Sequence, residues 1–259
     1  MTTDAEQTEI VRALWNGAAD VYDDAIVPAL SDAHHALLGV VQPTPGERVL
    51  DLGCGTGRMS ELVARAGGTV VAAVDLAPHM VTRAQVRLAQ FGVDVREMDA
   101  QALTFADASF DVAVAGFSLM FCPDPLAALR QARRVLRPGG RLAMSVWGLP
   151  EECDTVRVGR VTAGFGEGPL PDTPTGQSLG DPAQLRRLLE QAGFASIEMR
   201  SQVMRLRYSG PDACWAAVLH VHGKRIPVHL LSEAEAATRA QIAKLGLPLH
   251  NRAWFVRAE

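Results

Sequence analysis

Asp51, Gly53, Gly55 and Gly57 stand at strict two-residue intervals in VLDLGCGTGR, directly after a short apolar run. Glycine has no Cβ, so such a turn lets a ligand approach the backbone closely. An acid at its head can orient the turn or bind an amino group. Other glycine-rich turns compete for the pattern. A phosphate-cradling loop needs Gly, four residues, then Gly-Lys-Ser/Thr, whereas Gly57 is followed by Arg58, Met59 and Ser60. The dinucleotide fingerprint is a nearer rival, but its third glycine belongs where Arg58 stands. A pyrophosphate must meet backbone N–H groups at a helix N-terminus. A ligand without phosphate, carrying a sulfonium and a zwitterionic tail, can use loop carbonyls as well.

S-adenosylmethionine is such a ligand, and the run VLDLGCGTGR resembles the first motif of the class I S-adenosylmethionine-dependent methyltransferases. Four further segments are similar, in order: VVAAVDLAPHM, MDAQAL, FADASFDVAVAGFSL and ARRVLRPGGRLAMSVW. The likeness covers about residues 48–147. It is strongest to the small-molecule group that includes the ubiquinone, menaquinone and natural-product methyltransferases, whose N-terminal segment LWNGAADVYDD also resembles. The resemblance implies roles. Asp75, eighteen positions after Gly57, would accept from the ribose hydroxyls, with a helix cap as the alternative. Leu76 would pack on the adenine. Asp99 would hold the adenine amino group, with the Ala100 N–H on the ring. Phe117 and Ser118 would lie beneath the methionine part, and Tyr22 at the cofactor mouth. Met98 and Thr104 depart from the usual pattern without threatening cofactor binding.

Methyl transfer from a sulfonium is an in-line displacement, so the protein mainly aligns the reactants and excludes water. A base helps only where the nucleophile must lose a proton. His34, His35, His220 and His222 are weak candidates; His79, His229 and His250 have less context. No pair has metal-ligand spacing, and no metal is expected. The tetrad of nucleobase amino methyltransferases is missing, since GFSLMF stands after the fourth apolar run. Arg130, Arg133, Arg134 and Arg137 read as a solvated helix face, and the same holds for Arg186, Arg187, Arg200, Arg205 and Arg207.

Apolar runs alternating with helical patterns must position these residues. RVLDL, TVVAAVD, VDVREMD, FDVAVAGFSL and GRLAMSVW read as strands, and helices are predicted near residues 59–66, 78–91 and 124–136. Alternation of this kind means a parallel sheet covered on both faces, with the ligand at the carboxyl ends of the strands. Thr3 and Glu6 suggest a capping box opening a first helix, and a second is predicted over 24–41. After Trp147 a Gly/Pro-rich stretch to Pro182 suggests loops and short helices. Helices near 181–192, 211–221 and 233–245, an extended run 197–208, and a last strand RAWFVRA follow. The expectation is one α/β domain, Rossmann-like, with a seven-stranded, mostly parallel sheet. Residues 1–47 would form a helical lid, 48–147 the cofactor-binding core, 148–193 an insertion and helix, and 194–259 the C-terminal strands with a helical cap.

The chain has 259 residues and a net charge of −4, a poor match to the basic footprint of a nucleic-acid binder. No apolar run approaches a membrane span, and the acidic N-terminus does not read as a secretory signal. Cys54, Cys122, Cys153 and Cys214 lie far apart and read as free thiols of a reducing cytoplasm. The expectation is therefore a cytoplasmic enzyme, monomer or homodimer, with S-adenosylmethionine as cofactor. It would methylate oxygen or carbon of a small, partly apolar molecule: a polyketide, phenol or quinone precursor. A cofactor-retaining cyclase or isomerase and a non-catalytic cofactor-binding module are the alternatives.

Overall fold

Seven of the apolar runs become strands: β1 (Arg48–Leu52), β2 (Thr69–Asp75), β3 (Asp94–Glu97), β4 (Phe110–Gly116), β5 (Leu136–Trp147), β6 (Ile197–Leu206) and β7 (Leu249–Ala258). The computed structural model describes residues 2–168, 174–222 and 225–259, and for residues 221 and 222 the backbone alone. The strands form one sheet in the order β3-β2-β1-β4-β5-β7-β6. Pairs from β3 to β5 are parallel, and β7 is antiparallel to both β5 and β6. The order reverses between β1 and β4, which opens a crevice at their carboxyl ends. Val49, Leu50 and Leu52 of β1 are wholly buried, as a central strand covered on both faces requires.

Among the described residues ten α-helices surround the sheet: α1 (Asp4–Val21), α2 (Val27–Ala29), α3 (Ser31–Val41), α4 (Arg58–Arg65), α5 (Pro78–Leu88), α6 (Pro125–Val135), α7 (Asp154–Ala163), α8 (Pro182–Gln191), α9 (Pro211–His222) and α10 (Leu231–Leu245). Proline opens α5, α6 and α8, where its missing N–H costs nothing. The Thr3–Glu6 capping box forms and starts α1. Helices α7, α9 and α10 pack on one another as a cap. Its core includes Val158, Cys214, Val218 and Ile242, and a buried bond links the Thr162 and Thr238 hydroxyls at 2.8 Å.

The helix predicted over 24–41 is not continuous. Tyr22–Ile26 forms a π-helical turn, in which Val27 N–H reaches back to Tyr22 O, and α2 ends at Ala29 before α3 begins. Pro28 supplies no N–H, so the ordinary i→i−4 ladder cannot run through this segment. The N-terminal helices do not all pack alike. Ala33, Leu37 and Val41 of α3 are buried in the main core with the sheet, because their helical spacing gives α3 a continuous apolar face. Residues 31–41 are thus part of the scaffold, while α1 and the π-helical turn lie over the crevice.

Arg141 of β5 fixes the junction between scaffold helix and sheet. Its guanidinium donates to the carbonyls of Val41 and Gln42 at the end of α3 and to both oxygens of Glu47, at 2.6 and 2.8 Å. Arg141 is 8% exposed. Hydrogen bonding from Arg141 holds the Glu47 carboxyl down at about 2, with Thr44 N–H adding to it. A depressed carboxyl pKa contributes stability above its ordinary value of 4.5 that is lost as pH falls through about 2. Glu47→Gln is therefore expected to cost about 2–3 kcal/mol at pH 7. Urea unfolding should show the gap to wild type closing between pH 4.5 and 2.

Candidate functional site

The glycine turn after β1 is wound in the left-handed region, with φ of +66° at Gly53 and +55° at Gly55. A Cβ on Gly53 would stand 2.4 Å from the Cβ of Ser118, and one on Gly55 would sit 3.6 Å from the ring of Tyr22. Both positions therefore need glycine for conformation, and Gly53 also for space. Gly57 precedes α4 as its N-cap residue. The turn is pinned by Asp75 at the end of β2. One Asp75 oxygen accepts from Gly55 N–H at 2.7 Å and the other from Ala77 N–H at 2.9 Å. Burial pushes the Asp75 carboxyl up from its ordinary value, against the pull of these N–H donors. The N-cap residue of α5 is Ala77, without a side-chain cap, so Asp75 acts on the backbone just before the helix. Each carboxylate oxygen retains a second lone pair.

A cleft of about 710 Å³ lies at the carboxyl ends of β1, β2 and β4. Asp75, Leu76, Asp99 and Ala100 line it together with Gly53, Gly55, Phe117 and Ser118. Tyr22 and Trp15 close it from the lid side. Ser118 Oγ donates to Leu52 O at 2.6 Å and so ties the ends of β1 and β4 together. Phe117 adopts φ +53°, an uncommon conformation for an aromatic residue, and stacks on Trp147 with ring centroids 4.1 Å apart. Tyr22 and Trp15 meet edge to face at 6.0 Å, and Trp15 meets Phe121 at 4.9 Å. Burial pushes the Tyr22 phenol well above its ordinary pKa, with Asp75 and Asp23 adding to the effect.

Several of these residues are not singled out by the sequence reading. Gln101 donates through its backbone and its amide to Asp99, and its carbonyl oxygen accepts from Asp124 N–H. Gln101 thus sets the orientation of Asp99; only its position two residues later hints at this. Val11, Met80, Leu119 and Phe121 complete the apolar wall. Trp15 and Val11 are legible as the apolar stripe of α1, but not as cleft residues.

The candidate bases separate. His35 is exposed, with Nδ1 2.8 Å from the carbonyl of Ser31. His220 of α9 sits 3.2 Å from Leu14 O on the lid helix. The side chain of His222 lies outside the described residues. His34 is buried at 6% exposure and lines a smaller cavity beside the glycine turn, together with Asp51. Its pKa is pushed down to about 4 by burial and then by the charge of Arg58. Asp51 is 2% exposed; burial pushes its carboxyl up to about 6, partly opposed by the Ser60 hydroxyl at 2.6 Å. Among the described residues no group of three or more His, Cys, Asp or Glu is placed to hold a metal, and no helix is long and apolar enough to cross a membrane. Two of the arginines read as a solvated helix face do more: Arg134 of α6 binds the carbonyls of Leu103 and Phe105, while Arg137 lies beyond the helix in β5 and pairs with Asp111.

A sequence profile for a methyltransferase domain matches residues 50–144, which carry the glycine turn, Asp75, Asp99 and Phe117. Aklanonic acid methyltransferase DauC of a Streptomyces species is 30% identical over 147 residues, 55% of this chain and 67% of that protein. The chain belongs to the S-adenosylmethionine-dependent methyltransferases. The 27-O-demethylrifamycin SV methyltransferase of Amycolatopsis mediterranei is 42% identical over 112 residues, 42% of this chain and 41% of that protein. The matches span only 38–41% of the length of several of the curated relatives. Among solved structures the [4+2]-cyclase SpnF superposes with a TM-score of 0.66 at 20% identity, over 98% of this chain and 97% of that one. This likeness establishes the shared fold. S-adenosylmethionine is the family's cofactor, and the cleft fits it. Asp75 ends β2, Asp99 follows β3 by two residues, and the turn is built where side chains would intrude. Asp51 Oδ1 is a buried acceptor with no hydrogen-bond partner among the described residues.

The raised pKa of Asp51 has a stability consequence. A carboxyl whose pKa rises on folding from 3.8 to about 6 favours the fold fully below 3.8 and loses that contribution as pH rises through 6. At neutral pH the buried charge then costs about 2–3 kcal/mol relative to a neutral side chain of the same shape. Asp51→Asn keeps an acceptor for Ser60. It is expected to raise the denaturation midpoint of the ligand-free protein at pH 7.5, with the gain shrinking as pH falls from about 6 towards 4. An unchanged midpoint at pH 7.5 would show that the Asp51 charge is compensated within the protein.

Proposed function

We propose that this chain transfers a methyl group from S-adenosylmethionine to oxygen or carbon of a small, partly apolar molecule of the polyketide, phenol or quinone type. The observation that carries the reading is the mixed lining of one cleft, in which acids and the glycine turn stand together with the aromatic side chains of Trp15, Phe117 and Phe121. The relatives named for aklanonic acid and 27-O-demethylrifamycin SV support a substrate of natural-product type.

When bound, the cofactor supplies a methyl group already activated on a sulfonium. The chain's own residues bind and align. In this reading the free lone pairs of Asp75 receive the ribose hydroxyls, Leu76 covers one adenine face, and Asp99 with Ala100 N–H reads the adenine edge. Gln101 holds Asp99 in place for that task. Trp15, Tyr22 and Phe121 exclude water, and the Phe117–Trp147 stack gives the acceptor a flat, rigid wall. An acidic phenol or enol needs little help in losing its proton, so an acceptor of that kind suits a wall with no histidine in it.

Purified protein incubated with S-adenosylmethionine and a panel of phenolic and quinone-like acceptors should yield a product heavier by one methyl group, with S-adenosylhomocysteine formed in equal amount. Rearranged acceptor at unchanged mass would replace this reading by the cyclase, and no change in any acceptor would favour a binding module. Asp75→Ala should weaken S-adenosylhomocysteine by roughly 1.5–3 kcal/mol, the range for hydrogen bonds involving a charged group. Normal affinity with a lower melting temperature would restrict Asp75 to anchoring the turn. Hydrogen exchange in residues 8–26 should slow when S-adenosylhomocysteine binds, since this segment lies over the cleft. Exchange there that ignores the ligand would remove α1 from the role of lid.

A further inference from the structure

Thr56 stands between Gly55 and Gly57 in the turn after β1 and is 1% exposed, so its hydroxyl must find partners inside the protein. It finds two, both from outside the turn. It donates to Asp23 Oδ1 of the π-helical turn at 2.6 Å and accepts from the Arg87 guanidinium, near the end of α5, at 2.7 Å. Arg87 also donates to the Thr56 carbonyl at 2.8 Å and, through its other terminal nitrogen, to Asp23 Oδ1 at 3.0 Å. Three side chains from three separate segments thus close a ring. The ring uses the planar fork of arginine, one nitrogen serving Thr56 and the other Asp23. Neighbouring charges flank it: Glu61, itself held by Arg58 and Arg65, lies 3.7 Å from Arg87, and Arg83 lies 3.8 Å from the second oxygen of Asp23.

What the ring fixes is the residue before Asp23. Tyr22 opens the π-helical turn, which has no side-chain cap of its own. Its ring lies 3.6 Å from where a Cβ on Gly55 would stand, and it lines the main cleft. Thr56, Asp23 and Arg87 do not line that cleft; their hydrogen bonds are made to one another. We propose that Thr56, Asp23 and Arg87 are positioning residues that hold Tyr22 over the glycine turn and so set the rate at which bound cofactor leaves. The inference rests on the cleft being the cofactor's, as in the proposed function. It separates this ring from the exposed ion pairs elsewhere on α1. Opening the ring leaves a buried hydroxyl and a carboxylate without each other, which costs more than parting two solvated charges.

The test is stopped-flow binding of S-adenosylhomocysteine to the full chain, followed by tryptophan fluorescence. Thr56→Val removes the hydroxyl and keeps the branched shape. Dissociation should quicken about tenfold, the effect of losing a hydrogen bond to a charged group, while association stays within about twofold. Thr56→Ser should restore the slow rate. Arg87→Lys, which keeps the charge and loses the fork, should behave like Thr56→Val. In a Tyr22→Ala background, which removes what the ring positions, adding Thr56→Val should change dissociation by less than about twofold. Hydrogen exchange in the ligand-free Thr56→Val protein should quicken over residues 22–27 and not over β1 and β2, which also shows that the sheet is folded. Faster exchange with unchanged dissociation would make the ring merely structural. Slower association would mean that the glycine turn itself was damaged, and additive effects of Thr56→Val and Tyr22→Ala would mean that the ring does not act through Tyr22; each of these overturns the proposal and leaves the cofactor assignment standing. A wild-type protein that did not bind S-adenosylhomocysteine would overturn both.

Discussion

The carboxylate of Asp75 holds the crevice open in its working shape. By accepting from Gly55 N–H and Ala77 N–H it joins the loop after β1 to the segment after β2. The turn also holds itself through Gly57 N–H on Cys54 O and is tied to β2 through Cys54 N–H on Val74 O, both at 2.9 Å. Ser118 adds a third point by bonding Leu52 O, which brings the end of β4 to the same place. Three strand ends thus converge on one turn, and the glycines permit it because a side chain at Gly53 would collide with Ser118.

Helix α1 and the π-helical turn are tied to this centre by charge as well as by apolar contact. Ala18 and Ala19 of α1 pack with Ala77 and Met80, and the small alanines let the helix lie close to α5. Arg12 reaches the carbonyl of Leu76 and the carboxylate of Glu97, while Arg83 pairs with Asp20. Asp23 of the π-helical turn receives both Arg87 and the Thr56 hydroxyl. Most of these pairs are partly exposed, so each contributes little alone and weakens with salt. A cover held by several weak, screened contacts can release without unfolding the sheet beneath it.

Much of the architecture is legible in the sequence because it follows from pattern. β2 coincides with TVVAAVD, the capping box stands at Thr3 and Glu6, and the sheet is seven-stranded with all but β7 running parallel. The break at Pro28 and the membership of α3 in the core are harder to read, since a helix that covers a sheet and one that covers a ligand share one apolar periodicity. At the site, the residues that follow strand ends are legible from motif and spacing. That His34 and Asp51 line one cavity is not, because it depends on how α3 packs against α4 and the sheet, and nothing local to His34 encodes that packing. Gln101 escapes for a related reason: its partner is two residues away, but its purpose lies in the orientation it gives Asp99.

The placement of β7 bears on the birth of the protein. This strand is the last in chain order, yet it lies inside the sheet, antiparallel between β5 and β6. While the chain emerges from the ribosome, β1 to β5 can assemble from neighbours already made. The edge of β5 stays bare, and β6 has nothing to pair with until residues 249–258 arrive. Two of the seven strands are therefore placed only once residues 249–258 have been made, and until then the open flank of β5 is the surface most in need of shielding from other nascent chains.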